Sequence, residues 1–148
     1  MPIGLKHLKI NYTPNLMKTN QIILWSSRIV AAVIMLQTLF FKFTAAPESV
    51  YIFTKVGIEP VGRIGSGIAE LIASLLILYP KTSVWGAILA VGVMAGAIAS
   101  HLFILGIEVM DDHGQLFIYA LLVMIASLYI NSQNLTMLLS LISSKKKK

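Results

Sequence analysis

Four long apolar stretches, separated by short polar ones, constrain the fold of this chain more than any other feature of its sequence. They cover residues 22–44, 62–79, 83–106 and 114–130. Because an α-helix rises about 1.5 Å per residue and the hydrocarbon core of a bilayer is about 30 Å thick, each stretch can cross a membrane as a helix. A hydrophobic share of 57% with only 12% charged residues also leaves too little polar surface for a soluble domain of 148 residues. The sequence therefore predicts an all-α membrane protein with four transmembrane helices.

The connections between these stretches predict an antiparallel four-helix bundle. Pro80-Lys81 lies in a turn of only a few residues, so the second and third helices must be antiparallel neighbours. The longer connection at 47–60 opens with a proline and contains a glycine, which predicts a short helix in the external interface. After the polar residues 131–134, the run LTMLLSLI is too short to cross and predicts an amphipathic C-terminal tail. We expect residues 1–148 to form a single membrane domain.

The distribution of charge indicates the orientation of the bundle. The chain has 12 Lys and Arg residues against 6 acids, a formal net charge of +6. If both termini are cytoplasmic, most basic residues lie on the cytoplasmic side and every acid except Glu70 lies in an external loop. The basic balance then reflects membrane topology, and we expect no nucleic-acid partner. Arg28, near the inner end of the first helix, is interpreted mainly as an orientation anchor whose long side chain can reach the headgroups. It shares one side of that helix with Ala32, Met35, Leu39 and Lys42, and this side should face the bundle.

Glu70 stands inside the second apolar stretch, where an ionisable group is costly and therefore typical of a functional site. At 100° per residue it shares one helix side with Arg63, Ser66, Gly67 and Ser74, and this side should face protein rather than lipid. Counting residues from the helix ends places several polar side chains in the outer half of the bundle, namely Lys42, Arg63, Glu70, His101, His113 and Gln115. From this set we take Glu70, His101, Lys42 and Arg63 as candidates for a quinone or proton site.

Two interpretations of these side chains are open. In the functional one, Glu70 and His101 share a proton or bond to a carbonyl or hydroxyl of a lipophilic quinone, and Lys42 or Arg63 biases their charge. In the structural one, Lys42 or Arg63 neutralises Glu70, while a backbone carbonyl or a tyrosine satisfies His101. Two histidines and one glutamate do not make a metal site. The sequence has no cysteine, haem pair or flavin motif, so it predicts no intrinsic cofactor, and electrons would come from a partner.

Small residues recur every four positions in the third stretch, at Gly92, Gly96 and Ser100. This spacing puts them on one helix face, where they permit close approach of another helix. We therefore predict that Gly92, Gly96 and Ser100 form a helix-packing surface.

Several short segments resemble the DoxX family. They are Arg28, Lys42, the loop at 56–60, the helix segment at 67–76 and the run at 94–102, and the resemblance extends over roughly residues 25–131. The resemblance implies a four-helix protein of the bacterial inner membrane. It also implies relatives that associate with thiosulfate:quinone oxidoreductase or quinol oxidase complexes, or that act beside redox-defence enzymes.

Three functions are compatible with these observations. The first is an integral subunit linked to quinone-dependent electron transfer, with a bound quinone near Glu70 and His101 and another membrane or redox protein as its partner. The second is a non-catalytic scaffold or assembly subunit that docks a partner through the Gly92, Gly96 and Ser100 face. The third is a small proton-coupled transporter in which Glu70 carries the proton, which would require a homo-oligomer. Whether the chain itself catalyses a reaction is left open by its sequence.

Overall fold

A computed structural model describes the backbone of residues 14–145 and the side chains of residues 18–135. Its elements are α1 (Pro14–Phe43), α2 (Pro47–Val56), α3 (Val61–Leu78), α4 (Ser83–Ser100) with a π-helical turn at its end (His101–Leu105), and α5 (Gln115–Lys145). Four helical segments are long and apolar enough to cross a membrane: Lys18–Phe43, Val61–Leu78, Ser83–Leu105 and Gln115–Leu135. The described residues contain helices and no strand, so the predicted fold class is confirmed.

The four long helices form an antiparallel bundle. α1 packs against α3 and α5, and α4 packs against the same two helices, so α1 and α4 lie on opposite corners. The core between them consists of small and medium-sized side chains: Ala31, Met35, Ala73, Ile77, Ala87, Ala90, Met94, Ala120, Val123, Ala126 and Ile130. Outward-facing apolar side chains such as Leu75, Trp85 and Ile125 are 60%, 68% and 64% exposed. A surface of this kind suits lipid rather than water.

The bundle has two different ends. At one end α2 packs against α1, α3 and the π-helical turn, and the loop at 106–114 lies beside it; we call this the α2 end. At the other end α3 and α4 are joined by the short turn at 79–82, and α1 begins and α5 ends on this side; we call this the turn end.

The predicted short helix between the first two spans is present as α2. Pro47 occupies its first turn, where a missing N–H group costs nothing. Gly57 ends it with a positive φ of 86°, and its N–H donates to the carbonyls of Phe53 and Thr54. α2 thus has a well-defined start and end and closes one side of the bundle.

Helix boundaries differ from the predicted ones mainly at the turn end. α1 begins earlier than predicted, at Pro14, and α5 continues without interruption through 131–134. The predicted break at 131–134 is therefore wrong. The polar residues do not end the helix because their side chains bond within it; for example, Asn134 Nδ2 donates to the carbonyl of Ile130 at 2.7 Å. The predicted tail is the continuation of α5, and its amphipathic character concerns side chains beyond 135, which lie outside the described residues.

α3 and α4 approach each other closely at Gly86, a position that the sequence did not single out. A Cβ atom at Gly86 would lie 2.6 Å from the backbone nitrogen of Ile77 and 2.8 Å from the carbonyl oxygen of Ala73. By contrast, nothing among the described residues lies within 4 Å of a Cβ built at Gly92 or Gly96. Among the described residues, the glycine at the close contact between α3 and α4 is therefore Gly86.

Candidate functional site

A cavity of about 540 Å³ lies within the half of the bundle nearer the α2 end. All five helices contribute to its walls, which are mainly apolar, with Ile34, Phe53 and Val93 among them. Its polar lining includes Thr38, Lys42, Ser49, Glu70, His101, Asp112 and Gln115. A mainly apolar cavity with a few polar side chains on its wall is typical of a small-molecule site.

Glu70 and Lys42 form a buried ion pair on the wall of this cavity. Lys42 Nζ lies 2.5 Å from both carboxylate oxygens of Glu70, and the Thr38 hydroxyl donates to Glu70 Oε2 at 2.8 Å. The side chain of Glu70 is 4% exposed and that of Lys42 is 14% exposed. Because the opposite charges compensate each other, the pair can be buried at this depth. Of the two cations proposed from the sequence, Lys42 is the one that contacts Glu70.

Arg63 lies beside the cavity but does not line it. Its Nη1 donates to the backbone carbonyl of Lys42, in the last turn of α1, and its Nε lies 2.8 Å from Glu59 Oε1. A cation at the C-terminus of a helix compensates the negative end of the helix dipole and satisfies a free carbonyl. Arg63 therefore fixes the end of α1 against the start of α3, and in this way holds Lys42 in position.

His101 is held by the π-helical turn in which it lies. Its side chain is buried, and its Nδ1 lies 2.8 Å from the carbonyl oxygen of Gly106. A carbonyl only accepts hydrogen bonds, so Nδ1 carries a proton, and in the neutral form of the ring Nε2 can accept a hydrogen bond. The ring also packs edge-to-face on Phe117, with 5.6 Å between centroids. Glu70 and His101 line the same cavity, but among the described residues they make no hydrogen bond to each other.

Gly106 allows this arrangement because of its backbone conformation. Its φ of 88° and ψ of 173° lie in a region that side-chain-bearing residues rarely adopt. Its N–H donates to the carbonyl of His101 at 2.8 Å, while its own carbonyl accepts from the His101 ring. Single π-helical turns often occur at functional sites, and the turn here places a histidine on the cavity wall.

Asp112 organises the loop that covers the cavity at the α2 end. Its carboxylate accepts hydrogen bonds from the backbone N–H groups of Val109, Gly114 and Leu116 at 2.8, 2.9 and 3.0 Å. Burial opposes ionisation of this carboxyl, but the three N–H groups and the nearby His101 outweigh it, so the pKa of Asp112 lies below its usual value. Asp112 is therefore an ionised cap at the start of α5.

Sequence reasoning missed several polar cavity residues, among them Thr38, Asp112 and Ser49. Asp112 carried a signal, because an acid just before an apolar helix is a favoured cap. Ser49 carried none: it is 5% exposed, lines the cavity, and its hydroxyl has no hydrogen-bond partner among the described residues. Of the other outer residues, Gln115 lines the cavity, whereas His113 is exposed and lies 3.4 Å from Glu108.

Gly92, Gly96 and Ser100 lie along the cavity rather than against another helix of the described chain. Gly92 and Gly96 are exposed, as is Gln37, which also lines the cavity, so the cavity reaches the surface of the bundle here. Gly92 is about 14 Å from the start of α4, near the middle of the span. The cavity is therefore open at the depth of the lipid tails. Packing of this face against another protein stays a prediction.

Arg28 lies far from this site, at the turn end. It was expected to extend into the headgroups, but its side chain is only 4% exposed and its Nη2 donates to Ser83 Oγ at 3.1 Å. Four residues on the same side of α1 are also buried or half-buried, as predicted: Ala32, Met35, Leu39 and Lys42. Arg28 therefore lies on the inward-facing side of α1, as its helix face predicts, and its role as an orientation anchor stays a prediction.

Four apolar helices with outward-facing apolar side chains and a compensated ion pair inside define an integral, multi-pass membrane protein. The family model described as the DoxX-like family matches residues 26–130, which is most of the chain, and the protein belongs to this family. The resemblance seen in the sequence is thereby confirmed. Searches of curated proteins and of solved structures find no match.

Proposed function

We propose that the protein is a membrane subunit that binds a lipophilic quinone in the cavity at the α2 end and serves a membrane oxidoreductase. The observation that carries this proposal is the cavity itself: about 540 Å³, mainly apolar, lined by an ion pair and a histidine, and open at the depth of the lipid tails. A quinone has an apolar ring, two carbonyl oxygens and a long apolar tail. The ring and its oxygens suit the cavity, and the tail can leave through the opening beside Gly92 and Gly96.

The polar lining can serve both the oxidised and the reduced ring. Lys42 Nζ and the unpartnered Ser49 hydroxyl are donors that can bond to a carbonyl oxygen. Nε2 of His101 is an acceptor that can bond to the hydroxyl of the reduced ring. Because the sequence has no cysteine, the chain positions the ring while a partner protein supplies or removes the electrons.

Quinone titration of the purified protein in detergent tests the proposal. We expect saturable binding of a short-tail quinone by calorimetry. His101→Asn should weaken binding about tenfold, since asparagine can keep the bond to the Gly106 carbonyl but lacks the Nε2 acceptor. His113→Asn is the matched control, because His113 is exposed and does not line the cavity. Absence of saturable binding by the wild-type protein, or an equal loss in both variants, would contradict the proposal.

A scaffold role is the second candidate, favoured by the open space around Gly92 and Gly96. A partner helix could lie against this face, since no atom of the described chain occupies it. Gly92→Leu distinguishes the two roles. If it prevents assembly with a co-purifying protein while quinone affinity is unchanged, docking is the principal role of this face.

We infer that the protein lies in the bacterial inner membrane with both termini in the cytoplasm. Four spans put both termini at one end, the turn end, which also holds Lys18, Arg28 and Lys81. Five of the six acids of the sequence lie at the α2 end outside the spans, and this asymmetry follows the positive-inside rule.

Because the chain lacks cysteine, single cysteines can test this orientation directly. With a membrane-impermeant maleimide on intact cells, we expect labelling of Asp111→Cys, and labelling of Lys81→Cys only after permeabilisation. Both positions are exposed, so accessibility within the protein is matched. The opposite pattern would reverse the orientation.

A further inference from the structure

Arg28 is a buried cation with no acidic partner. The sequence contains six acids, Glu48, Glu59, Glu70, Glu108, Asp111 and Asp112. Five of them lie in α2 or in loops at the α2 end, and the sixth, Glu70, is paired with Lys42. Lys42 is about 21 Å from Arg28 along α1, so no acidic side chain can reach the guanidinium. Among the described residues this buried charge has no compensating anion, whereas charges at such a depth are normally paired.

Most of the hydrogen-bonding capacity of Arg28 is unused. Nη2 donates to Ser83 Oγ at 3.1 Å, and among the described residues it is the only nitrogen of this side chain with an acceptor. Nε is buried and has no partner in the described part of the chain. The guanidinium carbon lies 5.1 Å from the ring centroid of Trp25, a contact that orients the group without using its N–H donors.

Ser83 lies at the start of α4, where the end of the helix dipole adds partial positive charge near Arg28. Ser83 is the fully buried first residue of α4, and its hydroxyl lies 3.1 Å from the Pro80 carbonyl, to which it donates. The N-terminus of a helix is the positive end of its dipole, and the helical span that starts at Ser83 has 23 residues. Arg28 therefore meets a second positive group, an arrangement that favours a bound anion between them.

α5 brings two more unpartnered polar atoms to the same depth. Ser127 Oγ and Asn131 Oδ1 are buried and have no hydrogen-bond partner among the described residues. They lie about 18 and 24 Å from the start of α5, and Arg28 lies about 22 Å from the end of α1. Since α1 packs against α5, these groups are at one level of the bundle. The Ser127 hydroxyl can donate to an anionic oxygen, whereas Asn131 Oδ1 is an acceptor and does not contribute to anion binding.

We propose that the turn end binds one phosphate-type oxyanion, held by Arg28 together with the start of α4 and the Ser127 hydroxyl. Arginine is the preferred partner for phosphate because its planar donors match two phosphate oxygens. The site is level with Ser83, at the edge of the membrane span, where lipid phosphates lie. The same chemistry is offered by an anionic phospholipid headgroup and by free phosphate. This site is remote from the quinone cavity and does not depend on it.

A thermal-unfolding titration tests the proposal. Protein delipidated in neutral detergent receives inorganic phosphate at constant ionic strength, or phosphatidylglycerol in mixed micelles with phosphatidylcholine micelles as reference. We expect a saturable rise in Tm of about 4 °C or more with at least one probe. A rise with phosphatidylglycerol alone identifies a lipid headgroup, and a rise with inorganic phosphate identifies a free anion. No saturable rise with either probe would overturn the proposal.

Two variants test whether the rise in Tm comes from binding at Arg28. Arg28→Gln should weaken binding of the effective probe at least about tenfold, whereas Lys81→Gln, which removes an exposed charge at the same end, should leave it unchanged. If Arg28→Gln does not fold, Ser127→Ala provides the measurement, because it removes one donor and keeps the volume nearly the same; we expect weaker binding. An unchanged affinity in Arg28→Gln, or in Ser127→Ala where that variant is used, would overturn the proposed site.

Discussion

Glu70→Ala should lower the free energy of unfolding by about 3–5 kcal/mol, the usual cost of leaving one charge of a buried pair without its partner. The wild-type carboxylate accepts hydrogen bonds from Lys42 Nζ at 2.5 Å and from the Thr38 hydroxyl at 2.8 Å. After the substitution the Lys42 ammonium remains partly buried, and Arg63 still fixes the end of α1 that carries it. Denaturant unfolding in mixed micelles, followed by circular dichroism, measures the change.

Two further variants distinguish the effect of losing the ion pair from the effect of losing any carboxylate. Glu48→Ala removes an exposed carboxylate from the same cavity, and we expect a change of no more than about 0.5 kcal/mol. The double variant Lys42→Met with Glu70→Leu removes both charges, and it should recover most of the stability lost in the single variant. A stabilising role of the ion pair would be contradicted if Glu70→Ala and Glu48→Ala lowered the free energy of unfolding equally. It would also be contradicted if the double variant lost as much stability as the separate Lys42 and Glu70 substitutions added together.

Gly86→Ala should destabilise the protein by about 1–3 kcal/mol, because the added methyl group meets backbone atoms of α3 that cannot move independently. The Cβ atom would lie 2.6 Å from the Ile77 nitrogen and 2.8 Å from the Ala73 oxygen, so α3 and α4 must move apart. The same unfolding assay measures this change.

Gly92→Ala is the matched control for Gly86→Ala, since both glycines lie in α4 and only the surroundings differ. Nothing in the described chain lies within 4 Å of a Cβ at Gly92. The substitution should therefore be neutral or stabilise by up to about 1 kcal/mol, because alanine favours the helix. If both variants behave alike, close contact at Gly86 is not what packs α3 against α4.

The sequence alone predicted the four membrane-spanning helices and part of the lining of the cavity. Apolar length specifies a transmembrane helix almost directly, since bilayer thickness fixes the number of residues required. Helical spacing also placed Glu70 and Lys42 on inward faces, and one of the two interpretations gave Glu70 a partner in Lys42 or Arg63. These inferences succeeded because each depends on one helix at a time and on strong physical effects.

Features that depend on how helices meet were not predictable in the same way. Glycine spacing directed attention to Gly92 and Gly96, but the contact glycine is Gly86, because small residues allow close approach without specifying which face is covered. The inward face of Arg28 followed from helical spacing, but its partner Ser83 lies on another helix and could not be predicted from one helix alone. The π-helical turn that positions His101 has no simple sequence pattern, and the polar residues at 131–134 bond within α5 instead of ending it.

Photolabelling with a quinone that carries a reactive group, followed by peptide mass spectrometry, is the most direct test of the proposed quinone site. If the quinone occupies the cavity at the α2 end, the label should appear on the peptides that carry Ser49 or Phe53 in α2 and Val93 or Ala97 in α4, and excess unlabelled quinone should remove it. Labelling that is confined to lipid-facing positions such as Leu75 and Trp85, or that excess quinone does not reduce, would show that the cavity does not bind a quinone.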